Sequence, residues 1–278
     1  MSGISRIGGC ASYNGIIFIN TDAGKVIRGI RRSDGTVSIQ DLKVFSRVLR
    51  FYHLRIEKQL ECIPVLRELF KVVLMLGIAL FSSSKGILEY FSLRGKWTLR
   101  KPALLLASIL GIFFFVFSDS NLYMIFFILI PLLSLKEIND ARMFHGAEHK
   151  IIHMAEELSD LSEANIETAR DFSRIHPRCG TNLMVVLIPL IILYSIAEAY
   201  FLPIAGEGTE IAISILIMVA GLEVLKLLQK RNMNWILKVG GLLQKYGTTR
   251  EPEDEQLQLA LQTLILCSEE QGSCDKDF

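Results

Sequence analysis

Lysine and arginine are missing from two long windows, 102–135 and 179–225, although the chain of 278 residues carries 30 of them. With net charge at +1, the total excludes any argument for a basic nucleic-acid surface. Cysteine is scarce: Cys10, Cys62, Cys179, Cys267 and Cys274 are odd in number and far apart. That excludes a disulfide framework and fits a reducing compartment. A secretory leader is also not expected from the opening residues. "MSGISRIGGCASYNGIIF" has one early Arg, and its apolar stretch is too short and too glycine-rich to be an h-region. What is present in quantity is apolar residues, 51% of the chain.

Residues 1–41 read as a β-rich head. In "GKVIRGIRRSDGTVSIQ" apolar residues roughly alternate either side of Asp34-Gly35, a hairpin signal. With Gly8-Gly9 and Asn14-Gly15 upstream, the pattern predicts a small three-stranded sheet, too small to stand alone. Residues 42–101 read as helical, with an interfacial or re-entrant segment at 69–81, too short for a span. Basic residues then alternate with Tyr90 and Trp97, as in a headgroup layer.

The two windows without basic residues predict membrane hairpins at 102–135 and 183–228. Pro131 should kink an arm of the first. Glu198 and Glu223 fall near helix ends of the second, where interfacial placement is the expectation. The hairpin tips "SDSN" and "PIAGEGTE" carry no Lys or Arg, so the positive-inside rule puts the polar segments on the cytoplasmic side. The expected fold class is therefore mainly α: a polytopic membrane protein of two transmembrane hairpins, four spans. A cytoplasmic α+β body would comprise the head, the segment 136–182 and a C-terminal helical region, 229–278. The expected location is the inner membrane, multi-pass, with the lipid bilayer as partner. A protein partner could use the head or the C-terminal helix. In that helix Thr248 or Thr249 would cap, Pro252 suits the first turn, and Leu257, Leu261, Leu264 and Ile265 form an apolar face. Oligomeric state is not legible.

Of five histidines, four lie between 145 and 176. "EINDARMFHGAEHKIIHMAEEL" reads as one helix. His145 and His149 then stand at i and i+4, about 40° apart on one face, with Glu148 flanking them. The order H-x-x-E-H suits a divalent transition metal, zinc above all: two imidazoles hold the ion and Glu148 serves as general base. His153 and Glu156 extend the row by a turn and are secondary candidates. His145 and His153 are about 12 Å apart along the axis, too far for one ion. Further ligands are offered by "HPRCGTN", where Pro177 and Gly180 favour a turn and His176 and Cys179 stand at His-x-x-Cys spacing. A helix beginning after Cys179 would favour its thiolate. His53 stands alone and reads as structural. No organic cofactor site is legible.

Three stretches, "FHGAEHK" (144–150), "SRIHPRCGTN" (173–182) and "TTREPEDEQLQLA" (248–260), stand in an order similar to that of the YqhQ-like family of bacterial membrane proteins. The resemblance covers most of the chain. It implies an integral membrane protein with an inferred metal-dependent activity and no named substrate. The opening block departs from the family's pattern. Cys10 replaces Gln, Asn14 replaces Glu, and Ile17, Phe18 and Ile19 replace a Met-Met-Arg stretch; Gln258 stands where an acidic residue is expected.

Three functions follow as expectations. One is a metal-dependent hydrolase at the cytoplasmic membrane face. The second is a non-enzymatic assembly or partner-binding factor with a structural metal. The third is an ion transporter using Glu198, Glu223 and the histidine row.

Overall fold

The structure is a computed structural model. It describes residues 7–32, 34–56, 134–158, 164–201, 206–231 and 234–268, with isolated positions between. Four antiparallel strands form one sheet in chain order: β1 (Ile7–Ser12), β2 (Gly15–Asn20), β3 (Lys25–Arg31) and β4 (Val37–Asp41). The sheet has four strands rather than the expected three. Tyr13-Asn14 closes a tight turn that pairs Ser12 with Gly15, so the upstream block supplies two strands. The turn at Asp34-Gly35 lies where expected, with Gly35 at φ 85°. Its loop closes between Arg32 and Thr36, however, and not as a two-residue turn.

β2 is buried at every position, unusual for a small antiparallel sheet with one wet face. The cause is a helix layer on each side. On one face Ile16, Phe18 and Ile27 pack with Ile151 and Met154 of α2 (Leu135–Glu157) and with Leu257 and Leu264 of α7 (Asp254–Ser268). On the other, Ile17, Ile19 and Val26 pack with Leu49 of α1 (Lys43–Phe51) and with Leu74 and Ile78. The strands therefore share their core with segments more than a hundred residues away. Phe18 has no exposed surface, and Phe18→Ala should cost about 3–5 kcal/mol.

Between α2 and α7 in chain order come α3 (Ile166–Asp171), α4 (Thr181–Phe201), α5 (Gly206–Lys230) and α6 (Asn234–Leu243). Leu257, Leu261 and Leu264 of α7 are buried as the apolar pattern requires. Its N-terminus is capped differently from expectation. The Glu253 N–H donates to Gln256 Oε1 at 2.8 Å, one arm of a capping box. Thr249 instead turns back, its N–H and hydroxyl both donating to the Gln244 carbonyl at 2.8 Å.

The four-span fold class is corrected. Among the described residues no helix is long and apolar enough to cross a membrane. What those residues build is an α+β arrangement around a four-stranded antiparallel sheet. Hydropathy reports apolar content and not the length of an unbroken apolar helix. α4 holds Pro189 in its interior, and α5 carries Glu223 and Lys226 within its length. These two helices also pack on one another, Gly221 lying against Leu187 and Leu183. The side chains of Ile188, Ile191, Ile192, Leu193, Ile196 and Leu216 remain exposed. Glu223 lies inside α5, which continues to Lys230, and pairs with Lys226 at 3.1 Å. Most of the first hairpin with Pro131, most of 69–81, and the side chains of Glu198 and His53 lie outside the described residues.

Candidate metal centre

α2 carries five of the sequence-selected residues on successive turns: His145, Glu148, His149, His153 and Glu156. Its buried stretch is held by close backbone approaches that leave no room for side chains. A Cβ at Gly146 would meet the Arg250 carbonyl at 2.2 Å. One at Gly9 of β1 would meet Glu148 Oε1 at 2.5 Å. Gly9 thus lets the sheet edge touch the glutamate.

The loop 172–180 lies alongside α2 and fixes three of its imidazoles, together with the 248 segment. The His145 Nδ1–H donates to the Thr248 carbonyl at 3.0 Å, that of His149 to the Arg174 carbonyl at 2.6 Å, and that of His153 to the Ser173 carbonyl at 2.9 Å. A carbonyl can only accept, so Nδ1 carries the proton in each ring. Each Nε2 is left with a free lone pair when the ring is neutral. Outer contacts of this kind orient metal-binding imidazoles.

His145, His149 and Cys179 offer ligand atoms that all lie within 4.8 Å of one another. Cys179 Sγ is 3.5 Å from His145 Nε2. Tetrahedral zinc with Zn–N of about 2.05 Å and Zn–S of about 2.3 Å sets its N and S ligands about 3.6 Å apart. The donor set and this spacing fit a zinc-like cation. His153, Glu156 and His176 form a second such group. His176 is therefore assembled with the lower residues and not with the upper pair. Its Nε2 lies 3.4 Å from Glu156 Oε1, and the Arg178 guanidinium also pairs with Glu156.

Burial shapes the electrostatics. It pushes His149 down to about 3 and His176 to about 4, so both rings are neutral at neutral pH. His145 is lowered for the same reason. Burial pushes Glu148 up to about 8. The Cys179 thiol feels opposing influences: burial raises it, while the Thr181 hydroxyl at 3.1 Å and backbone N–H at 3.4 Å lower it. Burial outweighs the expected help from the start of α4. Glu148, His145, His149, Cys179 and His176 line one cavity of about 170 Å³, floored by Gly8 and Gly9.

Sequence reasoning missed Gln244. It is buried; its Oε1 accepts the His176 N–H at 2.8 Å and its Nε2 donates to the His176 carbonyl at 3.2 Å. Through its own carbonyl it also anchors Thr249. No local signal marks such a residue. Thr248 was visible as part of "TTREP" but served as a presumed helix cap; its carbonyl orients His145. Of the departures from the family's pattern, Cys10 stands nearest the site. Burial, and secondarily the Glu148 charge, push its thiol to about 11. Gln258 lies on the exposed side of α7.

No solved structure matches the chain. It is similar to "Uncharacterized protein YqhQ" of Bacillus subtilis (strain 168), 28% identical over 126 residues. That match covers 43% of this chain, and the chain spans 38% of that relative's length. Residues 70–270 take in both histidine-bearing motifs and the 248 segment, and over that stretch the chain belongs to the family described as "Protein of unknown function (DUF1385)".

Proposed function

We propose that the chain is a metal-dependent hydrolase whose divalent cation, zinc by donor chemistry, is held by His145, His149 and Cys179. The observation that carries this is the convergence of those three ligand atoms beside a buried carboxyl in one cavity. When bound, such a cation supplies Lewis-acid polarisation of a substrate carbonyl and acidifies water. Glu148 then accepts the proton that water loses as its oxygen bonds to the carbonyl carbon. It returns that proton to the leaving nitrogen or oxygen as the acyl bond breaks. Burial suits the carboxyl to this cycle because it holds a proton readily near neutral pH. A cation nearby shifts the carboxyl back towards its ionised, accepting form. The test is metal analysis after chelator-free purification, followed by Glu148→Gln. The expected result is one bound zinc in both proteins and loss of in-cell function only in the variant. A metal-free wild type sinks the proposal, and full complementation by the variant sinks catalysis.

We further infer that the bilayer is met by the exposed apolar side chains of α4 and α5. Ile188, Ile191, Ile192 and Ile196 recur at helical spacing along one stripe. Co-flotation with liposomes checks this; a triple Ile→Ser change at 188, 192 and 196 should abolish it.

A further inference from the structure

His176 differs from the other three imidazoles of the site in which nitrogen holds the proton. Its Nδ1 accepts the Arg178 backbone N–H at 3.1 Å. A nitrogen that accepts carries no proton, so the ring's proton sits on Nε2. His145, His149 and His153 are set the other way, each giving its Nδ1–H to a carbonyl. The site therefore has three rings that offer an Nε2 lone pair and one that offers an Nε2–H.

The described residues give that Nε2–H no acceptor. It is buried and has no hydrogen-bond partner among the described residues. Glu156 Oε1 at 3.4 Å fails the geometry of a hydrogen bond, and the Arg178 guanidinium already occupies it. Buried side-chain donors are rarely left unpaired, and one that is calls for an explanation. Gln244 pins the backbone of His176 on both sides, and the Arg178 N–H bond to Nδ1 holds the ring. His176 also lines the cavity that contains His145, Glu148, His149 and Cys179. Cation binding at the lower group is opposed by Arg178, whose positive charge sits on its only carboxylate.

Resting on the metal reading above, we propose that His176 Nε2–H is an oxyanion subsite. It donates a hydrogen bond to an anionic ligand oxygen, such as that of a carboxylate or of a carbonyl turning negative, beside the His145–His149–Cys179 group. Preorganised donors aimed at developing charge are a large source of rate enhancement in acyl transfer. His176 is thereby removed from the metal ligands.

The test uses the full chain loaded with Co²⁺ and acetohydroxamate as probe. His176→Ala should keep one equivalent of Co²⁺ and the thiolate-to-cobalt absorption band of the wild type. Its affinity for acetohydroxamate should fall about ten- to hundredfold, the loss of a hydrogen bond to a charged group. His176→Gln, which keeps an N–H donor, should recover part of that affinity. Should the alanine variant fail to fold, His176→Phe keeps the ring without the donor and should show the same loss. The proposal is overturned if the variant loses cobalt or shifts the band. It is equally overturned if wild type takes two equivalents and the variant one, or if acetohydroxamate binds both alike. A wild type that takes no cobalt at all refutes the metal reading itself, a distinguishable failure.

Discussion

One helix carries two groups of similar composition, and they differ in what already neutralises them. The upper group, His145 and His149 with Cys179, has two lone pairs and a thiol, and among the described residues no basic side chain pairs with any of them. The lower group, His153 and Glu156 with His176, contains a carboxylate paired to Arg178 and a ring protonated on Nε2. Proximity of ligand-type residues is the same in both, and only the proton and charge assignments separate them. Those assignments come from backbone carbonyls and one backbone N–H, which no motif records.

The sharpest break of the comparison is removal of a ligand from each side. Cys179→Ala or His145→Gln should abolish the bound equivalent of zinc in elemental analysis. His153→Ala should leave that equivalent in place. Equal losses would mean that the two groups are one site.

Next in size is the pH response of Glu148, which has no counterpart in the lower group. Its folded value of about 8 lies above the ordinary 4.5. Below pH 4.5 both folded and unfolded chains hold the proton, and ionisation adds nothing to the cost of its burial. As pH rises towards 8 the unfolded chain releases the proton while the folded one keeps it, so stability falls by about 1.4 kcal/mol per pH unit. Metal-free Glu148→Gln should therefore match wild type in denaturant midpoint at pH 4.5 and exceed it by a growing margin up to pH 8. Parallel profiles would show that the carboxyl is not buried as described. Zinc should narrow the gap, since a cation favours the ionised carboxylate.

Much of the upper group was readable because helical spacing is arithmetic: His145 and His149 must share a face wherever α2 forms. The "HPRCG" turn was readable as a loop that brings a thiol to a helix start. The division between Cys179 and His176 was not, because it depends on which carbonyls the loop 172–180 turns towards α2. The β-rich head was readable, while its embedding between α7 and α1 was not. Each face of β2 is closed by residues distant in sequence, and "GIIFIN" alone does not say what covers it. The apolar windows misled for a related reason. Composition marks a segment as apolar without saying whether neighbouring helices or a lipid phase cover it.

Gln244 tests whether the comparison rests on the loop as a whole. Its side chain holds the backbone of His176, and its carbonyl holds Thr249, next to the carbonyl that orients His145. Gln244→Ala should weaken zinc binding about 10- to 100-fold, the usual size of an outer-contact loss. Competition with a chromophoric chelator reads that change. An unchanged affinity would mean that α2 alone sets the upper group.

The smallest effect should come from the ion pair that distinguishes the lower group. Arg178 is about half exposed and Glu156 about a third, so water screens their attraction. Arg178→Ala should lower stability by less than about 1 kcal/mol in urea unfolding. Its informative readout is metal stoichiometry. Without the guanidinium, Glu156 becomes a free carboxylate beside the His153 Nε2 lone pair, and the charge barrier to a cation disappears. The His176 ring proton stays, because the Arg178 backbone N–H that fixes it is untouched by the substitution. If that proton is what keeps the lower group from binding metal, the variant still takes a single equivalent of zinc. If the guanidinium is what keeps it empty, a second equivalent enters, and the difference between the two groups reduces to one removable charge.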